Sequence, residues 1–113
     1  FKAHNYKKAI SCFEEALSFW PKDAQAWMAL GNCYDELKKP KDAERCLRRA
    51  LRCASRKNKH AIAFNLGNSL LDQKKYKAAI AFYSSIPEKS DVYRTAQKNL
   101  MLARESAASG KET

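Results

Sequence analysis

Glycine and proline are scarce in this sequence, with three of each among 113 residues. Both residues interrupt regular helices, so their scarcity favours long helical segments. No stretch alternates apolar and polar residues for long enough to indicate a half-buried strand. The sequence therefore predicts an all-α chain.

Long apolar runs are also missing. No segment approaches the roughly 20 apolar residues of a membrane-spanning helix, and the N-terminus lacks the apolar core of a signal peptide. Membrane contact is therefore disfavoured. Because the chain begins at Phe1, without an initiator methionine, we expect it to be a piece of a longer protein.

Motifs that carry catalysis or hold metals are absent as well. The sequence has no Gly-rich phosphate loop, no H-E-x-x-H and no G-x-S-x-G. Its four cysteines form no C-x-x-C pair, and neither histidine stands at ligand spacing from a cysteine. We expect no enzyme activity, no cofactor and no metal site. Cysteines at apolar helical positions are typical of reduced thiols, which favours a cytoplasmic or nuclear compartment.

One stretch organises the rest of the chain. It reads Trp27-x2-Leu30-Gly31-x2-Tyr34-x8-Ala43-x3-Leu47-x2-Ala50. The apolar residues recur at helical spacing in two segments joined by a basic linker with Pro40. Small residues at 31 and 43 would let two helix backbones approach closely. The pattern predicts a tight helical hairpin.

The same pattern recurs on both sides of this stretch. Its second half returns 34 residues earlier, and both halves return 36 residues later. The matched residues are Ala9, Phe13, Ala16 and Pro21 on the N-terminal side, and Asn65-Leu66-Gly67, Ala79, Tyr83 and Ile86 on the C-terminal side. A pattern repeated in register indicates a stack of similar helical units.

In these residues the sequence resembles the tetratricopeptide repeat family, whose unit of about 34 residues carries W-x2-L-G-x2-Y, then A-x3-F, then P. The resemblance implies a right-handed superhelical stack of antiparallel helix-turn-helix repeats, an α-solenoid of about three repeats. A single domain is expected over residues 1–104, divided into a partial first repeat (1–23), a second (24–57), a third (60–89) and a capping helix or degenerate fourth repeat (90–104). Residues 105–113 are expected to form a flexible tail. Asp23 is expected to cap the second helix, and Ser90 or Asp91 the last one.

The resemblance also implies a binding groove. In this family the first helices of successive repeats line a concave face, and four repeat positions point into it. At those positions stand Gln25, Met28, Asn32 and Asp35, then Ala61, Phe64, Asn68 and Leu71, with Thr95 and Lys98 from the last helix. Asn32 and Asn68 are expected to face solvent and to bond the backbone of an extended peptide. Met28, Phe64 and Leu71 are expected to form an apolar floor for its side chains.

One ligand of the family is disfavoured by these residues. Members that hold an acidic C-terminus use three basic residues and two asparagines as a carboxylate clamp. The aligned positions here are Met28, Asn32, Asn68, Lys98 and Leu102, which keep only one of the three basic residues. A desolvated terminal carboxylate needs the missing donors.

Positive charge is concentrated between Lys38 and Lys59. Ten basic residues stand there against two acidic ones, a net of +8 out of +10 for the whole chain. Two interpretations stay open: the solvated outer face of a helix, or a patch for an acidic protein surface, nucleic acid or anionic lipid. Nucleic acid is disfavoured, because such a face lacks the stacking aromatics of single-strand binders. The candidate patch residues are Arg45, Arg48, Arg49, Arg52 and Arg56.

The sequence thus indicates a non-catalytic interaction scaffold that binds a peptide or helix of another protein. The alternative is a structural solenoid segment that self-associates, for example through its incomplete first repeat. A self-associating segment changes mass with concentration, whereas a recruitment module stays monomeric until its ligand arrives.

Overall fold

A computed structural model describes the backbone of residues 3–110 and the side chains of residues 5–110. That part of the chain contains six helices and no strand. The helices are α1 (Ala3–Phe19), α2 (Ala24–Glu36), α3 (Pro40–Cys53), α4 (Lys59–Asp72), α5 (Tyr76–Ser84) and α6 (Tyr93–Ala108). The predicted all-α class is confirmed. Phe1 and the end of the expected tail, 111–113, lie outside the described residues.

The helices pack as a chain of neighbours, each against the next along the sequence. The buried side chains form two clusters. The N-terminal cluster contains Leu17, Ala26, Leu30 and Cys46. The C-terminal cluster contains Leu47, Ala63, Leu66, Leu70, Ala79, Tyr83, Ile86, Ala96 and Leu100. A core distributed between successive hairpins is the architecture of a helical-repeat solenoid, as the sequence predicted.

The turns after α2 and α4 share one backbone conformation. Lys38 and Lys74 both have positive φ, 61° and 63°. The N–H groups of Lys39 and Lys75 then reach back to carbonyls of the preceding helix, at 2.9 Å in each case. A left-handed residue followed by this bond ends a helix and satisfies its terminal carbonyls. The two equivalent turns fix the direction in which α3 and α5 leave their partner helices.

Two glycines allow the close approach within each hairpin. A Cβ atom at Gly31 would lie 2.8 Å from Cγ of Leu47 and 3.3 Å from the carbonyl oxygen of Ala43. A Cβ atom at Gly67 would lie 2.6 Å from Cε1 of Tyr83. These separations are shorter than ordinary van der Waals contact, so each position excludes a side chain. The predicted tight hairpin is present.

The sequence predicted side-chain caps for α2 and for α6, and only the cap of α2 is present. Asp23 caps α2 as predicted, since its carboxylate accepts the N–H of Ala26 at 3.2 Å. The prediction that Ser90 or Asp91 caps the last helix is wrong. The hydroxyl of Ser90 instead accepts the N–H of Val92 at 3.3 Å within the preceding turn, and α6 begins one residue later.

The predicted end of the last helix, near Arg104, is also wrong, because α6 continues to Ala108. The residues after Arg104 include two alanines, which favour helix, so the turn beyond the last buried contact persists. The hydroxyl of Ser109 donates to the carbonyl of Glu105 at 3.2 Å. Gly110 follows with φ of 70°, a conformation that ends a helix.

The four cysteines are free thiols. Cys33 and Cys46 are buried, and burial raises the pKa of the Cys46 thiol to about 11 despite the opposing charge of Arg45. Cys12 is exposed, although it holds the same repeat position as Cys46, because among the described residues α1 has no helix in the place where α2 packs against α3. The expectation of an apolar environment is therefore wrong for Cys12. No helix among residues 3–110 is both long and apolar enough to cross a membrane.

Glu44 connects two successive repeats. Its carboxylate accepts hydrogen bonds from Arg48 at 2.8 Å, Gln73 at 2.8 Å and Lys75 at 3.3 Å. Burial alone would raise the pKa of this carboxyl, but the three hydrogen bonds outweigh it and lower the pKa below the usual value. A depressed pKa in the folded state means that ionised Glu44 stabilises the fold above the pKa of the unfolded chain, and that this stability is lost as pH falls through the folded pKa.

Replacing Glu44 with alanine is expected to lower the free energy of unfolding at pH 7 by about 1–3 kcal/mol, because it leaves Gln73 without its side-chain partner. The control is Asp42→Ala, which removes an exposed ion pair with Arg45 and is expected to cost about 0.2–1 kcal/mol. Urea unfolding followed by circular dichroism measures both. Equal effects of the two variants would contradict a link between repeats at Glu44, as would a Glu44→Ala deficit that persists unchanged at pH 3.

Candidate functional site

The even-numbered helices lie on one side of the stack. Contacts join α2 to α4 and α4 to α6, whereas within residues 3–110 no contact joins α1 to α3 or α3 to α5. A stack whose even helices touch while its odd helices diverge curves toward the even helices. The concave side is therefore made by α2, α4 and α6, the helices that the sequence assigned to the groove.

We call the groove-facing residues of these three helices the inner face. The residues predicted for it from the sequence are Gln25, Met28, Asn32, Asp35, Ala61, Phe64, Asn68, Leu71, Thr95 and Lys98. The polar residues Gln25, Asn32, Thr95 and Lys98 are exposed, and the other six are half-buried. Met28, Phe64 and Leu71 pack against the C-terminal core cluster at their bases. The inner face thus combines partly accessible apolar surface with exposed polar groups.

Asn68 was expected to face solvent with its hydrogen-bonding groups free, but its carbonyl oxygen is already bonded within the fold. Its carbonyl oxygen accepts the hydroxyl of the fully buried Tyr83 at 2.6 Å and the amide of Asn99 at 2.9 Å. Tyr83 lies at the bottom of the inner face, and burial raises the pKa of its phenol well above the usual value. Asn68 therefore supports the fold, and only its own amide group is left to donate to a ligand. Asn32, by contrast, is exposed.

Replacing Asn68 with alanine is expected to lower the free energy of unfolding by about 1–3 kcal/mol, because the buried hydroxyl of Tyr83 loses its acceptor. Asn32→Ala is the matched control and is expected to change stability by no more than about 0.5 kcal/mol. Thermal melts of the two single variants distinguish them. Equal melting temperatures would show that the bond from Tyr83 contributes nothing.

Two carboxylates stand at the same end of the inner face. Asp35 is the second-last residue of α2, and Asp72 is the last residue of α4. Burial raises the pKa of Asp35, and the neighbouring charges of Asp72 and Glu36 raise it further, while Lys38 lowers it. The pKa of Asp72 is likewise raised by desolvation and lowered by Lys38. Among the described residues, Lys38 forms no ion pair with either carboxylate.

Four arginines of the basic patch lie on α3, away from the inner face, and Arg56 lies in the turn that follows α3. Arg45 forms an ion pair with a neighbouring aspartate at 3.1 Å. The guanidinium groups of Arg48 and Arg49 lie over aromatic rings, 5.6 and 5.3 Å from the ring centroids. Arg52 and Arg56 are exposed. These contacts favour the interpretation of α3 as a solvated outer helix whose charges are partly satisfied within the chain.

Three residues at or beneath the inner face were not anticipated as part of it: Asp72, Tyr83 and Asn99. A phenol at a position where the family carries phenylalanine was an available signal, since a buried tyrosine hydroxyl requires a partner. Asp72 follows the last expected groove position by one residue, and no sequence pattern marked it. Within the described side chains, no group of three residues suited to metal binding occurs. The side chain of His4 lies outside the described part.

The stack of hairpins, with its even helices on the inside of the curve, defines a helical-repeat protein of the α-solenoid class. Two models of the tetratricopeptide repeat match the chain, one over residues 1–56 and the other over residues 39–93. Together they cover residues 1–93, and the chain belongs to the tetratricopeptide repeat family. The comparison with curated proteins found no match. Repeats of this family generally mediate protein–protein interaction or scaffolding and are typically non-catalytic.

Proposed function

We propose that this chain is a non-catalytic scaffold that binds a peptide or helix of a partner protein on its inner face. The observation that carries the proposal is the mixture of surfaces there. Met28, Phe64 and Leu71 offer apolar area that is only partly buried, and they lie beside exposed polar groups. A protein ligand needs both kinds of contact, apolar burial for affinity and hydrogen bonds for register.

The hydrogen-bonding groups of the inner face fit a polypeptide backbone. Asn32 is exposed and can both donate and accept. Asn68 already accepts two hydrogen bonds through its carbonyl oxygen, so its amide is oriented to donate. An extended chain presents alternating carbonyl and N–H groups. Asn32 can bond to either kind of group, and the amide of Asn68 can donate to a carbonyl.

The proposal is tested by selecting binders from a random library of 12-residue peptides displayed on phage, with the purified chain as target. Enriched peptides are then titrated against Asn32→Trp, which fills the groove from an exposed position. Lys41→Trp places the same side chain at an exposed site on α3 and is the control. Loss of binding in the first variant alone is the expected result. Peptides that bind Asn32→Trp normally and fail on α3 variants would contradict an inner-face site.

Self-association is the second candidate function, supported by exposed apolar side chains at both ends of the stack. Phe19 and Trp20 are 70% and 68% exposed at the end of α1, and Met101 and Leu102 are 60% and 52% exposed on α6. Exposed apolar pairs of this size mark contact sites in many proteins. Light scattering over a range of concentrations tests this function: a rising mass that Leu102→Glu abolishes would support it, and a constant monomeric mass would exclude it.

The proposal includes action in the cytoplasm or nucleus. The four free thiols suit a reducing compartment, and the buried Cys33 and Cys46 serve as small core residues. Nucleic acid and lipid remain disfavoured as partners. The exposed arginines of α3 are expected to contribute long-range attraction toward acidic surfaces rather than specificity.

A further inference from the structure

Two clefts open on the outer side of the stack, between the second helices of successive repeats. The first outer cleft lies between α1 and α3, with α2 beneath it, and has a volume of about 360 Å³. The second outer cleft lies between α3 and α5, with α4 beneath it, and has a volume of about 320 Å³. Within residues 3–110 no contact joins the two helices on either side of each cleft. Both clefts are therefore open to solvent.

The second outer cleft is lined mainly by apolar side chains. Leu51 comes from α3, Ala63 from α4, and Phe82 from α5. Leu51 and Phe82 pack against the C-terminal core cluster but are only partly buried. The volume is at the low end of the range for ligand sites, roughly 300–1,000 Å³. The cleft therefore suits one apolar side chain of a larger ligand.

Cationic side chains surround this apolar lining. Lys59 and His60 line the cleft at the start of α4, and Arg52 follows Leu51 on α3. Arg52 and Lys59 are exposed, and in the described part of the chain neither forms an ion pair. Their charges are therefore available to a ligand.

Acidic groups are nearly absent from the helices around the second outer cleft. Between Arg45 and Pro87 the sequence has ten basic residues and one acidic residue, a net of +9. That acid, Asp72, ends α4, whereas the cleft lies at the start of α4, about 20 Å away along the helix axis. Glu44 of α3 is already held by three hydrogen bonds. Glu88, after α5, lines a different depression beside α6.

The first outer cleft has the equivalent position in the stack but a different charge. Glu14 and Arg45 both line it, so its rim carries both signs. Arg45 is also paired with Asp42 at 3.1 Å. The single-sign rim is therefore a property of the second outer cleft and does not follow from the repeat architecture.

We propose that the second outer cleft docks an acidic segment of a partner protein, separate from the ligand of the inner face. One aromatic or branched apolar side chain of the segment enters between Leu51 and Phe82. Carboxylates beside it lie against Arg52 and Lys59. The apolar cleft supplies the specificity, and the arginines of α3 supply the long-range attraction.

Charge and shape together select this occupant. A basic segment would bring like charges together, which costs free energy. A nucleic acid would offer phosphates to the cations, but its bases need aromatic faces for stacking. The cleft has one ring, Phe82, and the guanidinium of Arg48 lies over it, 5.6 Å from its centroid. A flat lipid surface does not reach the bottom of a cleft between two helices. An acidic protein segment fits both the charge and the apolar lining.

The test selects binders from the random 12-residue peptide library on Asn32→Trp, the variant whose inner face is filled. Enriched peptides are expected to carry several aspartates or glutamates around one aromatic or branched apolar residue. They are then titrated against Ala81→Trp, which fills the second outer cleft from an exposed position on α5. Ser18→Trp makes the matched change at an exposed position of the first outer cleft. Ala81→Trp is expected to weaken binding about tenfold or more, and Ser18→Trp to leave it unchanged.

The charges are tested separately with Arg52→Gln/Lys59→Gln. Both positions are exposed, so this variant should fold normally and carries the test even if Ala81→Trp unfolds. It is expected to weaken binding about tenfold at low salt and less at high salt, because salt screens exposed charges. Lys7→Gln/Lys8→Gln removes the same charge from exposed positions on α1 and is the control. An equal loss in the control would mean that net charge alone attracts the peptides, and would overturn the proposal.

Several other outcomes would also overturn the proposal. These are an empty selection, enriched peptides without acidic residues, and enriched peptides that bind Ala81→Trp as well as wild type. Anionic vesicles or a single-stranded oligonucleotide whose binding Ala81→Trp abolishes would assign the cleft to lipid or nucleic acid instead. A concentration-dependent dimer that Ala81→Trp dissociates would make a second copy the occupant. The proposed function of the inner face is decided separately, by whether the wild-type chain yields peptides that Asn32→Trp blocks.

Discussion

Tyr83→Ala is expected to lower the free energy of unfolding by about 3–5 kcal/mol, the usual cost of removing a buried aromatic side chain. Tyr83 is fully buried, with its ring against Gly67 and 6.2 Å from the ring of Phe64 between centroids. Its removal leaves a cavity between α4 and α5 and takes a hydrogen-bond partner from Asn68. Because domains of this size are stable by only about 5–15 kcal/mol, the variant should be partly unfolded at 37 °C.

Tyr83→Phe separates the ring from the hydroxyl. It keeps the packing against Gly67 and removes only the bond to Asn68, so it is expected to cost about 0.5–1.5 kcal/mol. Urea unfolding of both variants, followed by circular dichroism, gives the comparison. If Tyr83→Phe were as destabilising as Tyr83→Ala, the hydroxyl rather than the ring would be the main contribution, contrary to the packing argument.

Gly67→Leu is expected to prevent α4 and α5 from packing. The first added atom alone would lie 2.6 Å from the ring of Tyr83, and the ring cannot withdraw because it is fully buried. Gly31→Leu should act in the same way on α2 and α3, because a Cβ atom at that position would lie 2.8 Å from Cγ of Leu47. Overpacking of a core usually costs about 1–3 kcal/mol. We expect more here, because the collision involves the first side-chain atom.

Alanine at the two positions distinguishes the two contacts. Gly→Ala in a helix gains up to about 1 kcal/mol of propensity, and Leu47 can rotate away from Gly31 more readily than a ring can move from Gly67. Gly67→Ala is therefore expected to be the more destabilising of the two. Gly110→Ala is the control, since nothing lies within 4 Å of the added atom there and only its φ of 70° opposes the change. Thermal melts would contradict this account if Gly67→Ala were neutral.

The helical stack could be predicted from the sequence because it depends on local patterns. Apolar spacing gave the helices, and the small residues at Gly31 and Gly67 marked the contacts within hairpins. Asp23 was recognisable as a cap because the interaction joins residues three apart. The start of α6 could not be recognised in the same way. The hydroxyl of Ser90 could either cap α6 or accept a hydrogen bond within the preceding turn, and only the three-dimensional geometry decides between these two roles.

The sequence predicted which helices form the inner face, but not which of its polar groups are hydrogen-bonded within the chain. The family positions predict Asn32 and Asn68 on it, and only the structure shows that Asn68 is engaged by Tyr83 and by Asn99, a residue 31 positions away. Likewise, the contact between α2 and α4 cannot be read from the sequence of either helix alone. Contacts between repeats depend on how the helices are rotated against each other, and spacing along one helix does not contain that information.

The central claim is that protein ligands bind the inner face made by α2, α4 and α6. It is tested most directly by titrating a selected peptide into the isotope-labelled chain and following each backbone amide by nuclear magnetic resonance. The account predicts that the largest shifts lie along α2 and α4 around Asn32, Asp35 and Asn68, with smaller shifts on α6 and none along the outer side of α3. Shifts centred on the arginines of α3, with the inner face unchanged, would contradict it.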